Sequence, residues 1–559
     1  MYKRQIICCT HQSYAQKGKI TAEEKLQIDS LFLEFEAQTG PGLAFGLLKD
    51  GEIIYTRNIG LADIENNTPI TSQTSFQLGD LSRHFTAYAA LLLEKEGKLS
   101  LQDRVSNYLP DLKIPASIKV IDLLRHSSGL HNFHTIKTLA GWYHERPYNQ
   151  SDVLDIIQLQ EELRFNSGSD YNYNETNLIL LAEVVKKVSG LDFGTFMKNQ
   201  VFAPLDMNHT AYRNDSLPLD NVAKGYVLED GVHKHIELHN HTLGVSNLYS
   251  SVQDILKWEW NMMHPKPKDI KIFEKIKSIV QLESGREFSD PRGKLMLGQH
   301  FTHKERGITS DYFTSRMGPY TTAMFNFPDH DLVGVVLGND NAPYNGYLVM
   351  LSAYILLEDQ FTEPTVAIID SKNAPVLSNQ QLEKYTGTYY DPEFSLIREI
   401  ALSNDTLRYV RPNGIQSPLI SIGQDQFQLH IRSDDKIIIE FKNENRQFRM
   451  DYIVGESEAI PLFRIYPDNV ETNSFHSLTG TYLSKNLGIA YTISLQNDQL
   501  VIQSPINGTS DLRPLDDDLF ATSLYFMGSL KFERNPDNEV DGFLIKHHGA
   551  WNVWFEKIS

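Results

Sequence analysis

Thr386-Gly387-Thr388-Tyr389 returns as Thr479-Gly480-Thr481-Tyr482, at an offset of 93 residues. The same offset carries Leu402, Asn404, Asp405 and Leu407 onto Leu495, Asn497, Asp498 and Leu500, and Asp425 and Phe427 onto Asp518 and Phe520. Coincidences in a single register mean that one supersecondary unit occurs twice. Each unit holds roughly eight short strand-like runs, Lys436 to Phe441 and Arg446 to Val454 among them, punctuated by Asn, Asp and Gly. Two small antiparallel β-barrels, at 381–468 and 472–559, would close every strand edge. One sandwich shared by both repeats is the alternative.

At roughly 150 residues per domain, the 559-residue chain must hold more than these two units. Thr21-Ala22-Glu23-Glu24 is a capping-box start, and Ile28, Leu31, Phe32 and Phe35 then recur on one helical face up to Gly40-Pro41-Gly42. Leu43 to Leu48 and Ile53 to Tyr55 flank Asp50-Gly51, a strong hairpin signal. Phe85 to Leu93 is apolar almost all round, as a helix buried between layers must be. Helices and loops follow from Leu123 to Trp258, and strand character returns between Ala323 and Gly338. A hairpin at one end and a returning strand at the other predict a sheet assembled from both ends of a domain spanning 19–362. The proline-containing stretch 363–380 reads as a linker.

Charge and cysteine content narrow the partners and the compartment. With 71 acidic against 52 basic residues the formal charge is −19, which repels phosphate backbones and anionic membranes. Nucleic acid is therefore not an expected partner, and no apolar run approaches the ~18 residues of a membrane span. Both cysteines, Cys8 and Cys9, lie near the start, so the rest of the chain has no disulfide, thiolate metal site or Cys nucleophile. Lys3-Arg4, Ile6-Ile7 and the small residues Ser13 and Ala15 read residues 1–18 as the remnant of a signal peptide with a truncated start. An exported, periplasmic or extracellular bacterial protein is expected; a lipid-anchored cysteine and a disordered cytosolic N-terminus are the alternatives.

Phe76-Gln77-Leu78-Gly79-Asp80-Leu81-Ser82-Arg83-His84-Phe85-Thr86-Ala87, running on through Leu91 to Leu101, resembles the nucleophile helix of the class C β-lactamase and D-alanyl carboxypeptidase family. The likeness extends through Asp103, Tyr108-Leu109-Pro110, Leu123-Leu124-Arg125-His126-Ser127-Ser128-Gly129-Leu130, Tyr171 to Asn177, Phe202 to Met207 and Leu248 to Ile255. It covers about Ile20 to Asp359, with the motifs in family order. The repeat units are similar to the lipocalin-like barrels appended to some D-aminopeptidases and esterases of the same family. The resemblance implies an α/β (α+β) β-lactamase/transpeptidase-like domain, an antiparallel sheet flanked by helices with a helical subdomain, followed by the two β-barrels.

Family chemistry, by the same resemblance, needs a Ser to attack a carbonyl and a Lys three residues on to carry its proton. Aligning Gly79 and Phe85 puts Asp80 on the Ser and Arg83 on the Lys. A carboxylate is a weak acyl-transfer nucleophile, and a guanidinium cannot act as a base at neutral pH. Ser82 points about 200° round the helix from position 80, and the literal Ser433 to Lys436 match falls at a strand start in a barrel. In the Tyr-x-Asn element Tyr173 survives, with a packing role favoured for it, while Glu175 replaces the amide and can only accept when ionised. In the Lys-Thr-Gly or His-x-Gly element the register places Phe313, Thr314 and Ser315.

These losses imply a hydrolase-family protein, catalytically impaired, that binds cell-wall peptides, small amides or esters, or a protein partner. An active hydrolase of D-amino-acid peptides, amides or esters with a displaced mechanism is the alternative; a surface-interaction protein whose role lies in the barrels is a third. Asp80 and Arg83, one turn apart, suit an ion pair filling the old cleft, with a carboxylate-based hydrolysis through Asp80 or Glu175 weighed against it. His233, His235, His239 and His241 read as an exposed polar loop. Trp551 and Trp554 read as barrel packing. No cofactor and no metal is expected, and oligomeric state is left open.

Overall fold

The computed structural model describes residues 19–559, apart from 37–39, 143–147, 160–161, 214–219, 239–241, 341–344, 363–373, 393–395, 412–413, 432–435, 445–446, 456, 468–469, 471–474, 505 and 507. The signal-peptide reading, both cysteines, His239, His241, Ser433 and most of the linker lie outside the described residues.

The opening helix is Ala22–Ser30, with the reciprocal Thr21 and Glu24 capping box its sequence encodes. Ile28 and Phe32 are fully buried against Phe45 of the first strand. Strands Leu43–Lys49 and Glu52–Ile59 form the hairpin, and Asp50 and Gly51 both take positive φ (51° and 85°), as a two-residue turn matching strand twist requires. The main sheet is eight-stranded, in the order Ser289–Asp290, Gly293–Leu295, Phe301–Glu305, Ile308–Met317, Tyr320–Phe327, Leu332–Gly338, Leu43–Lys49, Glu52–Ile59. Leu43 pairs with Gly338 and Lys49 with Leu332, so the sheet is assembled from both ends of the domain. Helix Asn345–Leu356 covers one face and Val252–Met263 the other. Helix Ser82–Lys95 packs on Glu175–Ser189 and is buried from Ser82 to Leu93.

The repeats are two separate closed barrels of eight strands each, from Gly387–Asp391 to Ile460–Ile465 and from Gly480–Ser484 to Ala550–Lys557. The repeated residues are those the turns and closures need. Asn404, Asp405 and Asp425 and their counterparts Asn497, Asp498 and Asp518 all take positive φ, between 50° and 67°, which Asn and Asp tolerate. Tyr389 and Tyr482 are fully buried, and their hydroxyls donate to the carbonyls of Tyr385 and Leu478 at 2.7 Å. Both interiors are filled by side chains such as Phe441 and Phe427 in the first and Phe532 and Phe543 in the second, as eight strands leave room for.

Two expectations need correction. Trp551 and Trp554 do not fill the barrel: Phe555 points inward, Trp554 is 38% exposed and Trp551 stacks under Arg164 of the first domain. A bulge between Ile545 and Lys546 shifts the register opposite that strand. His233 and His235 lie on a hairpin strand, Val232–His235, paired with Tyr226–Glu229, rather than in a loop.

Candidate functional site

The cleft begins where strand Phe76–Gln77 turns into helix Ser82–Lys95 through the 3₁₀ turn Gly79–Leu81. Gly79 has φ 55°, and a β-carbon there would come within 2.8 Å of Ser315 Oγ and 3.0 Å of Met317 Cβ. Only glycine lets the turn sit this close to strand Ile308–Met317. The backbone N–H of Asp80 donates to Ser315 Oγ at 3.1 Å. Ser82 is fully buried and spends its hydroxyl on the Gly79 carbonyl at 2.7 Å, so it does not face the cleft.

Arg83 does not pair with Asp80. Its guanidinium, 6% exposed, lies 4.4 Å from the centre of the Phe313 ring and 4.7 Å from that of Tyr173, with Nη2 3.5 Å from the Gln299 carbonyl. Cation–π contacts on two rings thus replace the expected ion pair, because the residues in the other two motif positions offer aromatic faces where a carboxylate would be needed. Tyr173 in turn packs at 4.8 Å on the ring of buried His126. His126 is held by Gln299 Oε1 at 2.8 Å and by Asn177 and the Asn174 carbonyl, each at 3.2 Å. Burial drives His126 down to about 3, with the Arg83 charge adding to it, so the ring is neutral. Burial likewise keeps the Tyr173 phenol protonated, reinforced by the Asp80 charge.

The other half of the cleft is carboxylate. Glu175 opens helix Glu175–Ser189, whose positive end favours an anion. Its Oε2 lies 3.0 Å from His134 Nε2. Burial opposes the charge on Glu175, but His134, Lys137 and a hydrogen bond from Asn132 outweigh it and hold the carboxyl below its ordinary range. Asp80 goes the other way. Burial in a dense shell of protein and the neighbouring Glu175 raise it to about 6, with Arg83, His134 and Ser315 only partly offsetting them. Lys137 is pushed down to about 8 by burial, against the pull of Glu175, and lies over the Tyr148 ring at 4.4 Å.

The structure therefore brings Asp80, Arg83, Tyr173, Glu175, Phe313 and Ser315 to one place. Thr314 is the exception: strand alternation turns it to the opposite face, where it is exposed and meets helix Asn345–Leu356 at Gly346, 3.7 Å from a β-carbon there. Sequence reasoning missed Asn132, His134 and Lys137. They come from helix Phe133–Leu139, whose only local signal is the Asn132 cap, with Oδ1 accepting from the His134 and Thr135 N–H groups. It also missed Gln299, a buried residue at φ 72° whose amide donates to the Leu124 and Leu297 carbonyls.

A family model described as Beta-lactamase matches residues 28–354. Penicillin-binding protein 4* of Bacillus subtilis (strain 168) is 24% identical over 447 residues, 75% of this chain and 92% of its own. Protein flp of Staphylococcus aureus is 24% identical over 344 residues, 59% of this chain and 66% of its own. Among solved structures, the octameric penicillin-binding protein homologue from Pyrococcus abyssi superposes with a TM-score of 0.53 at 21% identity, covering 79% of this chain and 100% of that one. A class C beta-lactamase superposes with a TM-score of 0.50 at 18% identity, over 60% of this chain and 96% of that one.

Proposed function

The chain belongs to the β-lactamase family, and from that premise we propose that it is a catalytically impaired pseudo-hydrolase whose cleft holds an amine-bearing cell-wall peptide without covalent capture. The observation that carries this reading is the clamp on Arg83. The position that should supply a proton carrier holds a permanent cation, closed in by the Tyr173 and Phe313 rings, the two residues aligned with the other motif positions. Acyl transfer also needs free N–H donors aimed at a developing oxyanion. The Asp80 N–H, at the nucleophile position, is already engaged by Ser315 Oγ.

What remains suits an ammonium group. Glu175 has His134 and Lys137 to balance its charge, whereas Asp80 keeps its carboxylate without a direct cationic partner among the described residues. An amine placed between the two carboxylates would neutralise Asp80 and gain charge-assisted hydrogen bonds. Export to the cell envelope accords with the likeness to a bacterial penicillin-binding protein. No helix among the described residues is long and apolar enough to cross a membrane.

Incubating the protein with a fluorescent penicillin and an alkyl fluorophosphonate is expected to give no covalent adduct, while titration with a muropeptide carrying a free amine gives heat that Asp80→Asn removes. An adduct on a cleft serine would overturn the reading. A second reading, a working hydrolase with a displaced mechanism, has one observation in its favour: Lys137, held at about 8 beside Glu175, is a base suited to neutral pH. Turnover of esters or D-peptides that Lys137→Met abolishes would establish it.

A further inference from the structure

Directly beneath the cleft, His84, Glu259 and His300 converge from three elements, each with a ligand atom within 4.8 Å of the others. All three are at most 1% exposed. His84 lies next to Arg83 on helix Ser82–Lys95, Glu259 comes from helix Val252–Met263 across the core, and His300 follows Gln299 just before strand Phe301–Glu305. The imidazoles of His84 and His300 lie 4.1 Å apart, and His300 Nε2 is 3.8 Å from Glu259 Oε1.

The polar atoms of this cluster are half used. His84 Nδ1 is held by the Gly298 carbonyl, which fixes the proton there and leaves the Nε2 lone pair free. Glu259 Oε2 accepts from Asn326 Nδ2 at 2.7 Å. His84 Nε2, Glu259 Oε1, His300 Nδ1 and Asn326 Oδ1 are buried with no hydrogen-bond partner among the described residues. A buried carboxylate with no cation paired to it and two imidazoles with idle nitrogens is an unstable arrangement by itself. The surroundings are otherwise apolar or soft: Trp258 and Phe85 pack on His84, and Met324 Sδ lies 3.1 Å from His300 Nε2.

We propose that His84, Glu259 and His300 bind a divalent transition-metal ion, zinc foremost, which pins the helix bearing Asp80 and Arg83 to the core of the domain. Two imidazoles and one carboxylate are a common zinc donor set, with bonds of about 2.0–2.2 Å. Tetrahedral coordination at that length sets donor atoms roughly 3.5 Å apart, so His300 and Glu259, at 3.8 Å, are already close to it while the rest of the cluster, within 4.8 Å, must draw in around the ion. Met324 Sδ, beside His300, is the neighbouring group able to complete the shell. The Gly298 carbonyl on His84 and the Asn326 amide on Glu259 are the outer hydrogen bonds that orient metal ligands. An ion here supplies a positive charge beside the fully buried Glu259 carboxylate. The role is structural, since the ligands are sealed from solvent and from the cleft.

The test is the metal content of the full-length chain, purified without chelator from zinc-supplemented medium and measured by plasma mass spectrometry. About one zinc per chain is expected for a single such site. The double variant His84→Gln/His300→Gln should carry none, and Asn326→Ala, which keeps all three ligands, should bind zinc about 10–100-fold more weakly. Cobalt loaded in place of zinc should give the visible absorption of a tetrahedral N/O site. If the wild-type chain is folded by circular dichroism, holds no metal and shows no rise in Tm with added zinc, the proposal is overturned and the cluster is a protonated Glu259 among neutral histidines. Undiminished zinc in a folded double variant overturns it equally.

Discussion

The two barrels share a sequence repeat and a strand plan, yet they meet the β-lactamase-like domain in opposite ways. The first has its own core, built around Leu382, Tyr389, Phe427, Phe441 and Met450. It meets the first domain through an exposed ion pair, Arg286 Nε to Glu458 Oε1 at 3.1 Å, and touches the second barrel through a small apolar cluster of Tyr390 and Ile465 with Leu515 and Ala521. The core of the second barrel, including Tyr482, Phe532 and Phe543, is continuous with that of the β-lactamase-like domain. Its last hairpin inserts Gly549 at the start of helix Phe133–Leu139, where the Gly549 carbonyl accepts the Asn132 N–H at 2.8 Å. Tyr491 donates to the Leu139 carbonyl at the other end of that helix at 3.1 Å. A repeat thus encodes a module, while a few residues outside the repeated turns decide whether the module is an appendage or a wall of the site. The helix so gripped carries His134 and Lys137.

The largest effect should come from removing the second barrel. Ending the chain at Tyr466 would expose the apolar face that Leu139 and its neighbours bury against Ile489 and Tyr491. We expect insoluble protein, or a Tm lower by about 10 °C or more. In the intact chain, calorimetry should show the first barrel melting separately and the second melting together with the first domain. A single transition for all three would break the contrast.

Gly549→Val is a finer probe of the same junction. A β-carbon at 549 would sit 2.1 Å from Thr135 Oγ1 and 2.9 Å from its Cβ, so the hairpin must lift off the helix. A cost of about 1–3 kcal/mol is expected from such overpacking, read as a shift of the denaturation midpoint.

Much of this was legible in the residues and some was not. The hairpin at Asp50-Gly51, the buried helix through Phe85 and the two barrels follow from turn chemistry and periodicity, which act locally. The register of Asp80 and Arg83 followed from Gly79, a position where only glycine fits. The partner of Arg83 did not, because an ion pair and a stack between Tyr173 and Phe313 are equally compatible with the spacing of residues 80 and 83. Nor did His134 or Lys137, which reach Glu175 only because the second barrel sets their helix. His84, Glu259 and His300 are more than 170 residues apart at the first step, and no motif joins them. Contacts made by tertiary packing leave no local trace.

The same contrast reaches the cleft. The folded-state value of Asp80, about 6, lies above its ordinary 3.8. The native state therefore holds that proton more tightly than the unfolded chain, and this contribution to stability is present below about 4 and lost as pH rises through 6. Asp80→Asn should then melt above the wild type at pH 7.5, with the gap closing by pH 4. Because His134 offsets the burial of Asp80 from the helix that the second barrel grips, Gly549→Val should move the midpoint of that profile upward. A profile unchanged by Gly549→Val would mean that the barrel does not tune the site.

The smallest effect should be found at the first barrel's junction. Arg286 and Glu458 are 46% and 38% exposed, and Arg286 also reaches Asp170 at 2.8 Å. Ion pairs this open to water gain little over the hydration they give up, so Arg286→Ala should change stability by no more than about 0.5 kcal/mol. The change should shrink further in high salt, as exposed charges are screened. The Asp80 pH profile should stay where it is, since nothing in this contact touches helix Phe133–Leu139. A loss as large as that of Gly549→Val, or a shift in the cleft, would show the first barrel to be as integral to the site as the second.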